Sequence, residues 1–320
     1  MNTVRIRNSI LLFITAAIWG CAFVAQSVSM DYIGPYTMTG VRSLIGGIVL
    51  LPLVFARDYK KKQNGNVTEQ ARRQENKMSV IGGICCGLVF TVATMTQQVG
   101  ICTTTVGKAG FITALYIVMV PIIGIFLGKK VGIKLGVSIV LSVVGLYLLC
   151  MAGNLDMSGN LLSNLLASLA LTKGDTLVLI CAFVFSIHIL VIDYFSPRAD
   201  GVKISCIQFF VAGVICSIGM FVFEKPVLSD ILAAYIPILY AGVMSCGVAY
   251  TLQIIGQKNL PPTLASLIMS LESVFSALAG WLILGEKLTA LELGGCVLMF
   301  IAIILAQLPE KAELAKVDLN

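Results

Sequence analysis

The sequence predicts an all-α membrane protein of ten transmembrane helices, arranged as two inverted five-helix repeats. Three observations predict it. The 320 residues are 58% apolar and only 12% charged, about half the charge of a soluble domain, and the mean hydropathy of +0.96 is too high for one soluble core to hide. Ten apolar runs of bilayer length can be marked. The ninth of them, residues 262–284, is echoed by residues 106–128 at a spacing of 156.

That echo organises the chain. In the ninth run Ser266, Ser270, Ser273, Ala277 and Gly280 repeat every three or four residues. On a helix they form one narrow small-residue stripe that lets a second backbone come close in lipid. Glu272, the single charge near the middle of the run, lies about 80–120° off that stripe. In the earlier run Gly110, Ala114, Ile117, Pro121 and Gly124 take the stripe positions. Leu115 matches Leu271, Val118 matches Val274, and Tyr116 stands where Glu272 stands. After a one-residue gap Gly128 and Lys130 match Gly285 and Lys287. The chain therefore reads as a duplicated unit.

In order, the runs cover roughly 9–28, 36–56, 79–99, 105–127, 131–151, 175–194, 202–223, 231–255, 262–284 and 288–308. The first is preceded by Arg5 and Arg7; it is longer than a signal-peptide core and further spans follow, so it reads as a span. Residues 57–78 read as a polar, solvated connector, and 160–171 carry leucines at a helical spacing that suits a short interfacial helix. With the N-terminus placed inside, the inner segments hold 17 Lys and Arg and the outer loops hold 4. Both termini are then expected in the cytoplasm. Five spans per half means that the second half enters from the opposite side, so the repeats are inverted. The expected divisions are a first repeat at 1–152, an outer loop at 153–174, a second repeat at 175–308 and a cytoplasmic tail at 309–320.

The chemistry is sparse. No G-x-S-x-G, H-E-x-x-H or pair of histidines occurs, and Gly107-Lys108-Ala109 lacks the rest of a phosphate loop. The ten cysteines contain no C-x-x-C and read as small apolar packing residues. No metal or other cofactor is expected, and no enzyme activity. The net charge of +6 sits in loops between spans and does not point to nucleic acid. What remains is a set of polar groups at membrane depth, where a buried charge costs about 2.5–3.5 kcal/mol on insertion scales and is read first as functional. Arg42 is a candidate for an anionic substrate group, with snorkelling to the interface as the alternative. Glu272 is a candidate proton or cation carrier, or a protonated carboxyl bonded to a neighbouring helix. His188 is either a second proton carrier or a packed neutral ring. Tyr116 and Trp19 either line a cavity or belong to the core. Gln97 and its repeat equivalent Gln253 read as interhelical glue.

Ala17-Ile18-Trp19-Gly20, Val41-Arg42-Ser43-Leu44, Lys108-Ala109-Gly110-Phe111-Ile112 with Pro121, and Ser270-Leu271-Glu272-Ser273-Val274-Phe275 followed by Gly285-Glu286-Lys287-Leu288 together resemble the EamA-type transporters of the drug/metabolite transporter superfamily. The likeness covers essentially the whole chain as two units. It implies ten helices in an inverted 5+5 arrangement and alternating access to a central cavity lined mainly by the first, third, fourth, sixth, eighth and ninth. Members move amino acids, nucleobases, sugar-phosphates, drugs and other metabolites, often outward. The proline usual after the ninth-span Glu is Ser273 here, which puts the expected kink in question. The resulting expectation is a secondary transporter of the bacterial inner membrane, taking a small-molecule substrate, with a proton as candidate coupling ion. Its rivals are an exchanger or uniporter of the same fold, an intramembrane transferase, and a scaffold that transports nothing.

Overall fold

The computed structural model describes residues 3–63, 68–104, 106–150, 172–285 and 288–308. The expected interfacial helix at 160–171, the tail at 309–320, the Lys108 side chain, Glu286 and Lys287 lie outside the described residues. Everything described is helix or short connection. The elements are α1 (Thr3–Ser29), α2 (Pro35–Gln63), α3 (Glu69–Ile101), α4 (Val106–Ala114 and Tyr116–Phe126), α5 (Ile133–Cys150), α6 (Lys173–Phe195), α7 (Gly201–Glu224), α8 (Tyr235–Gln257, after the short helix Leu228–Ala233), α9 (Pro262–Ile283) and α10 (Ala290–Gln307). Among the described residues nine are long and apolar enough to cross a bilayer, and the tenth, within α5, is a shorter apolar helix. The chain is thus a multi-pass membrane protein of the predicted ten-helix class.

Local chemistry sets the helix ends. Thr172 and Asp175 form a reciprocal capping box at the start of α6, and Thr289 with Glu292 does the same for α10. Asp200 caps α7 through the amides of Val202 and Lys203. Gly128 and Gly285, matched in sequence, close α4 and α9 with φ of +77° and +70°, a conformation that only glycine adopts without strain. The region 57–78 departs from expectation. Its described residues are almost all helix: α2 runs on to Gln63, and α3 starts at Glu69 behind the N-cap Thr68. Lys, Arg, Gln and Glu are good helix formers, and charges there bind the next connection: Lys61 reaches Glu75 and Asp200, each at 2.8 Å, and Lys203 reaches Asp58 at 2.6 Å.

The packing obeys one rule. The most extensive contacts join helices from different halves: α2 with α7, α3 with α6 and α7, α5 with α10, and α1 with α8 and α9. A two-fold that exchanges helix n with n+5 maps α2/α7, α5/α10 and α4/α9 onto themselves, and it maps α3/α6 onto α8/α1. At the α5/α10 crossing this symmetry is explicit. A Cβ added to Gly145 would meet the Gly295 carbonyl oxygen at 2.8 Å, and one added to Gly295 would meet that of Gly145 at 2.5 Å. The two backbones touch where both side chains are absent, which is the close approach that lipid-embedded helices favour. The stripe on α9 works differently from expectation. Its Ser273 hydroxyl donates to the Gly110 carbonyl of α4 at 3.4 Å. Gly110 itself has nothing against it, while α1 takes the close approach through Gly20, whose added Cβ would meet the Phe275–Ser276 backbone within 2.6 Å.

Candidate functional site

Both helices of the repeated pair break at the same place. In α4 the turn loosens at Leu115, whose amide bonds to Ile112 three residues back. In α9 it loosens at Ser270–Leu271, where Leu271 bonds to Ile268 and Ser273 to Ser270. No proline sits at the α9 break. The serines there turn away from the regular ladder: Ser270 donates to the Leu267 carbonyl and Ser273 leaves for α4. Such side-chain bonding competes with helical pairing and bends helices.

The first residue beyond each break carries a polar side chain singled out from the sequence. Tyr116 opens the second half of α4, and Glu272 opens the second half of α9. Their side chains meet across the repeat axis, with the Tyr116 hydroxyl donating to Glu272 Oε1 at 2.9 Å. Residues at equivalent positions of the two halves therefore bond to each other at the centre of the bundle. Tyr116 is 3% exposed and Glu272 5%.

This pair forms one wall of a cavity of about 40 Å³, room for a few water molecules. The wall also takes Trp19, Ala22, Phe23 and Gln26 from α1, Arg42 from α2, Gln97 from α3, Thr113 from α4, Phe185 and Ile189 from α6, Ser245, Tyr250 and Gln253 from α8, and Met269 from α9. Seven helices contribute, because the interleaved packing brings both halves to the same centre. Trp19 and Tyr250 stack at a tilt with ring centroids 4.5 Å apart. Arg42 is 4% exposed and makes no ion pair among the described residues. Its Nε has no hydrogen-bond partner among the described residues, and neither do Trp19 Nε1, Gln26 Oε1 and Gln253 Oε1.

Four of the five residues singled out from sequence, Trp19, Arg42, Tyr116 and Glu272, thus share one cavity. The fifth, His188, is fully buried behind the wall. It bonds to Gln208 at 2.8 Å and packs against Phe90, Phe185 and Tyr250. Gln97 is not merely glue: it lines the cavity while donating to Thr113 at 3.3 Å. Sequence reasoning missed Tyr250 and Gln26. The signal for Tyr250 is its three-residue spacing from Gln253 in an apolar span, which puts both on one helix face.

Polar contacts also tie the helices together away from the cavity, at both ends of α2 and between α4 and α6. At the end where α2 begins, the Glu224 carboxylate accepts from the amides of Tyr36 and Thr37 and from the Thr37 hydroxyl, all at 2.7 Å. At the other end Lys129 pairs with Asp193, and Asp200 holds Lys61 and lies 3.6 Å from Arg57. Burial pushes the Asp200 carboxyl up. The Lys61 hydrogen bond and the Arg57 charge pull it down further, so it ends below the ordinary aspartate value.

Comparison with known proteins gives the family and the fold. An uncharacterized transporter of Archaeoglobus fulgidus is 28% identical over 305 residues, covering 95% of this chain and 87% of that protein. A solved crystal structure, described only as that of a protein, superposes with a TM-score of 0.71 at 18% identity, covering 94% of this chain and 96% of the other. At that identity it speaks for the fold alone. Residues 7–151 and 172–308 each match the EamA-like transporter family. The chain is therefore a member of the EamA-like transporter family: a membrane-embedded transporter of small molecules.

Proposed function

We propose that the chain is a secondary-active exporter of a small metabolite, working by alternating access around the Tyr116–Glu272 cavity. The observation that carries this reading is the placement of one carboxyl, one unpaired guanidinium and a hydrogen bond between repeat-equivalent residues at the breaks of α4 and α9. A broken helix supplies two half-helices that swing about a fixed point, and a cavity at that point is exposed first to one side and then to the other. With space for a few waters only, the cavity must widen to take a solute, so loading and helix motion are coupled.

Glu272 is the coupling group in this proposal: it carries a proton through the cycle and releases it when the cavity faces the higher pH. Tyr116 holds its Oε1, and Tyr250 and Cys181 are the other titratable groups near it. Arg42 faces the same cavity and binds the solute's acidic group. In this proposal the functional halves are 1–152 and 175–308 and the chain sits in a bacterial inner membrane; the 17-to-4 split of basic residues supports both termini lying in the cytoplasm.

The test is counterflow in proteoliposomes loaded with fractionated metabolite pools, run on the native chain and on Ala22→Phe, which puts a bulky ring into the cavity wall. The reading expects at least one solute whose counterflow is lost in Ala22→Phe while the variant keeps its far-UV helical signal. Counterflow insensitive to that substitution overturns it.

A further inference from the structure

We infer that the bundle carries a binding site for the headgroup of an anionic phospholipid, at the end where α1, α5 and α9 begin and α10 stops. A pocket of about 170 Å³ lies there, room for a phosphate ester rather than a single water. Arg5 of α1 and Lys134 of α5 both line it. Each is anchored on the end of α10: Arg5 donates to the Ala306 carbonyl at 3.3 Å and Lys134 to the Leu308 carbonyl at 2.8 Å. These bonds hold two long side chains from different helices at one rim, so less side-chain freedom is lost when an anion arrives. They also answer the negative end of α10. The helix starts add to the charge. α5 begins one residue past Gly132, and α9 begins behind Pro261 without a side-chain cap among the described residues. Gly132 and Pro261 both line the pocket, so the positive ends of two helix dipoles lie at one place, as at anion sites.

The surrounding sequence carries the same sign. Residues 3–8, 128–135 and 256–262 lead into the three helix starts, and they hold Arg5, Arg7, Lys129, Lys130, Lys134 and Lys258 with no Asp or Glu. Asp193 of α6 answers Lys129. A water-soluble anion would need only these charges, but the pocket offers more. Leu135 and Leu264 line it beside the cations, and Leu308 forms its α10 side. From its rim, apolar residues run along two helices that pack on each other. Ile133, Val137 and Val140 on α5 and Leu308, Ile304 and Ile301 on α10 are each 47–87% exposed. Spacings of three and four put each set on one helix face. A basic rim above a lipid-facing apolar surface fits a phosphate headgroup together with its acyl chains. In the orientation proposed above, this end lies in the cytoplasmic leaflet, where anionic lipid is concentrated. The site joins α1 and α5 of the first repeat to α9 and α10 of the second, so an occupant strengthens the contact between repeats.

The full chain, delipidated in detergent, is titrated with phosphatidylglycerol, with phosphatidylcholine of the same acyl chains, and with glycerol 1-phosphate as a headgroup without chains. Native mass spectrometry counts the bound lipid, and Tm reads its effect. Phosphatidylglycerol is expected to bind and to raise Tm at a concentration about tenfold or more below either comparison compound. Arg5→Gln and Lys134→Gln should each weaken it about fivefold. Lys62→Gln, at the end of α2 and outside the pocket, should leave it unchanged. The comparison of compounds on the native chain decides even where a variant folds poorly. Phosphatidylcholine as effective as phosphatidylglycerol overturns the site. Glycerol 1-phosphate as effective as phosphatidylglycerol overturns it too, since a soluble anion is then the ligand. An equal loss in Lys62→Gln would replace the pocket by diffuse surface charge. The rival occupant is the chain's own Glu310, Glu313 or Asp318, which follow Leu308 in sequence. If phosphatidylglycerol acts only in the triple variant Glu310→Gln, Glu313→Gln, Asp318→Asn, those carboxylates fill the pocket and the lipid site falls.

Discussion

At the scale of single residues the account turns on the bond between Tyr116 and Glu272. The hydroxyl contributes a hydrogen bond to a buried carboxyl, worth about 1.5–3 kcal/mol where the acceptor is charged. Tyr116→Phe keeps the ring and removes only that bond, so it is expected to slow counterflow about tenfold while leaving the far-UV helical signal unchanged. Full activity in Tyr116→Phe would show the bond to be incidental. Much of this was legible beforehand. The 156-residue echo placed Tyr116 opposite Glu272, and a lone Arg in an apolar run announced Arg42. Tyr250 was not legible, because a tyrosine in a span packs in the core as readily as it lines a cavity, and sequence does not say which face of α8 turns inward. His188 shows the same limit from the other side. A central histidine reads as a candidate ligand, yet the ring stands outside the cavity lining, with Nε2 on Gln208, three aromatic neighbours against it and no partner for Nδ1 among the described residues.

At the scale of helices, two features set the geometry on which the proposed motion rests. The first is the matched break in α4 and α9. It did not need the family's proline, because Ser270 and Ser273 supply the competing hydrogen bonds. A sequence without Pro at that point hides such a break, since it depends on a carbonyl brought in by another helix. The second is the Gly145–Gly295 crossing. With backbone atoms 2.5–2.8 Å from any added Cβ, a side chain there has nowhere to go. Gly145→Leu is expected to destabilise by about 1–3 kcal/mol through overpacking, read as a lower Tm in detergent. Gly295→Leu should match it, and the double variant should fall short of their sum, because both substitutions pry apart the same contact. Equal stability of Gly145→Leu and the native chain would contradict the crossing. The ion pair between Lys61 of α2 and the α7 cap Asp200 carries its own test. Asp200 sits below its ordinary pKa in the folded chain. Its charge therefore stabilises the fold above the unfolded value near 3.9, and that contribution is lost as pH falls through the folded value. Asp200→Asn keeps the helix cap but removes the charge. Its Tm should fall below the native value at pH 7 and converge on it as pH drops below about 4. Parallel curves would remove Asp200 from the acid response.

At the scale of the whole molecule, the halves are not two bodies set side by side. The strongest helix pairings cross from one repeat to the other, so the moving parts draw helices from both. Composition, span count and inversion could be read from the chain, since hydropathy and the distribution of Lys and Arg carry them directly. The interleaving could not, because nothing in a span's sequence names its partner. Glu224 on the α2 amides ties one end of the bundle, and the Asp200 and Asp193 ion pairs tie the other. Under the alternating access proposed above, one set parts while the other holds, and in that proposal the carboxyl at the centre links the choice to a proton. The most direct measurement is uptake by proteoliposomes of the native chain and of Glu272→Gln, with and without an imposed pH gradient. The account predicts that Glu272→Gln keeps counterflow and loses all acceleration by the gradient. Gradient-driven uptake undiminished in Glu272→Gln would contradict it.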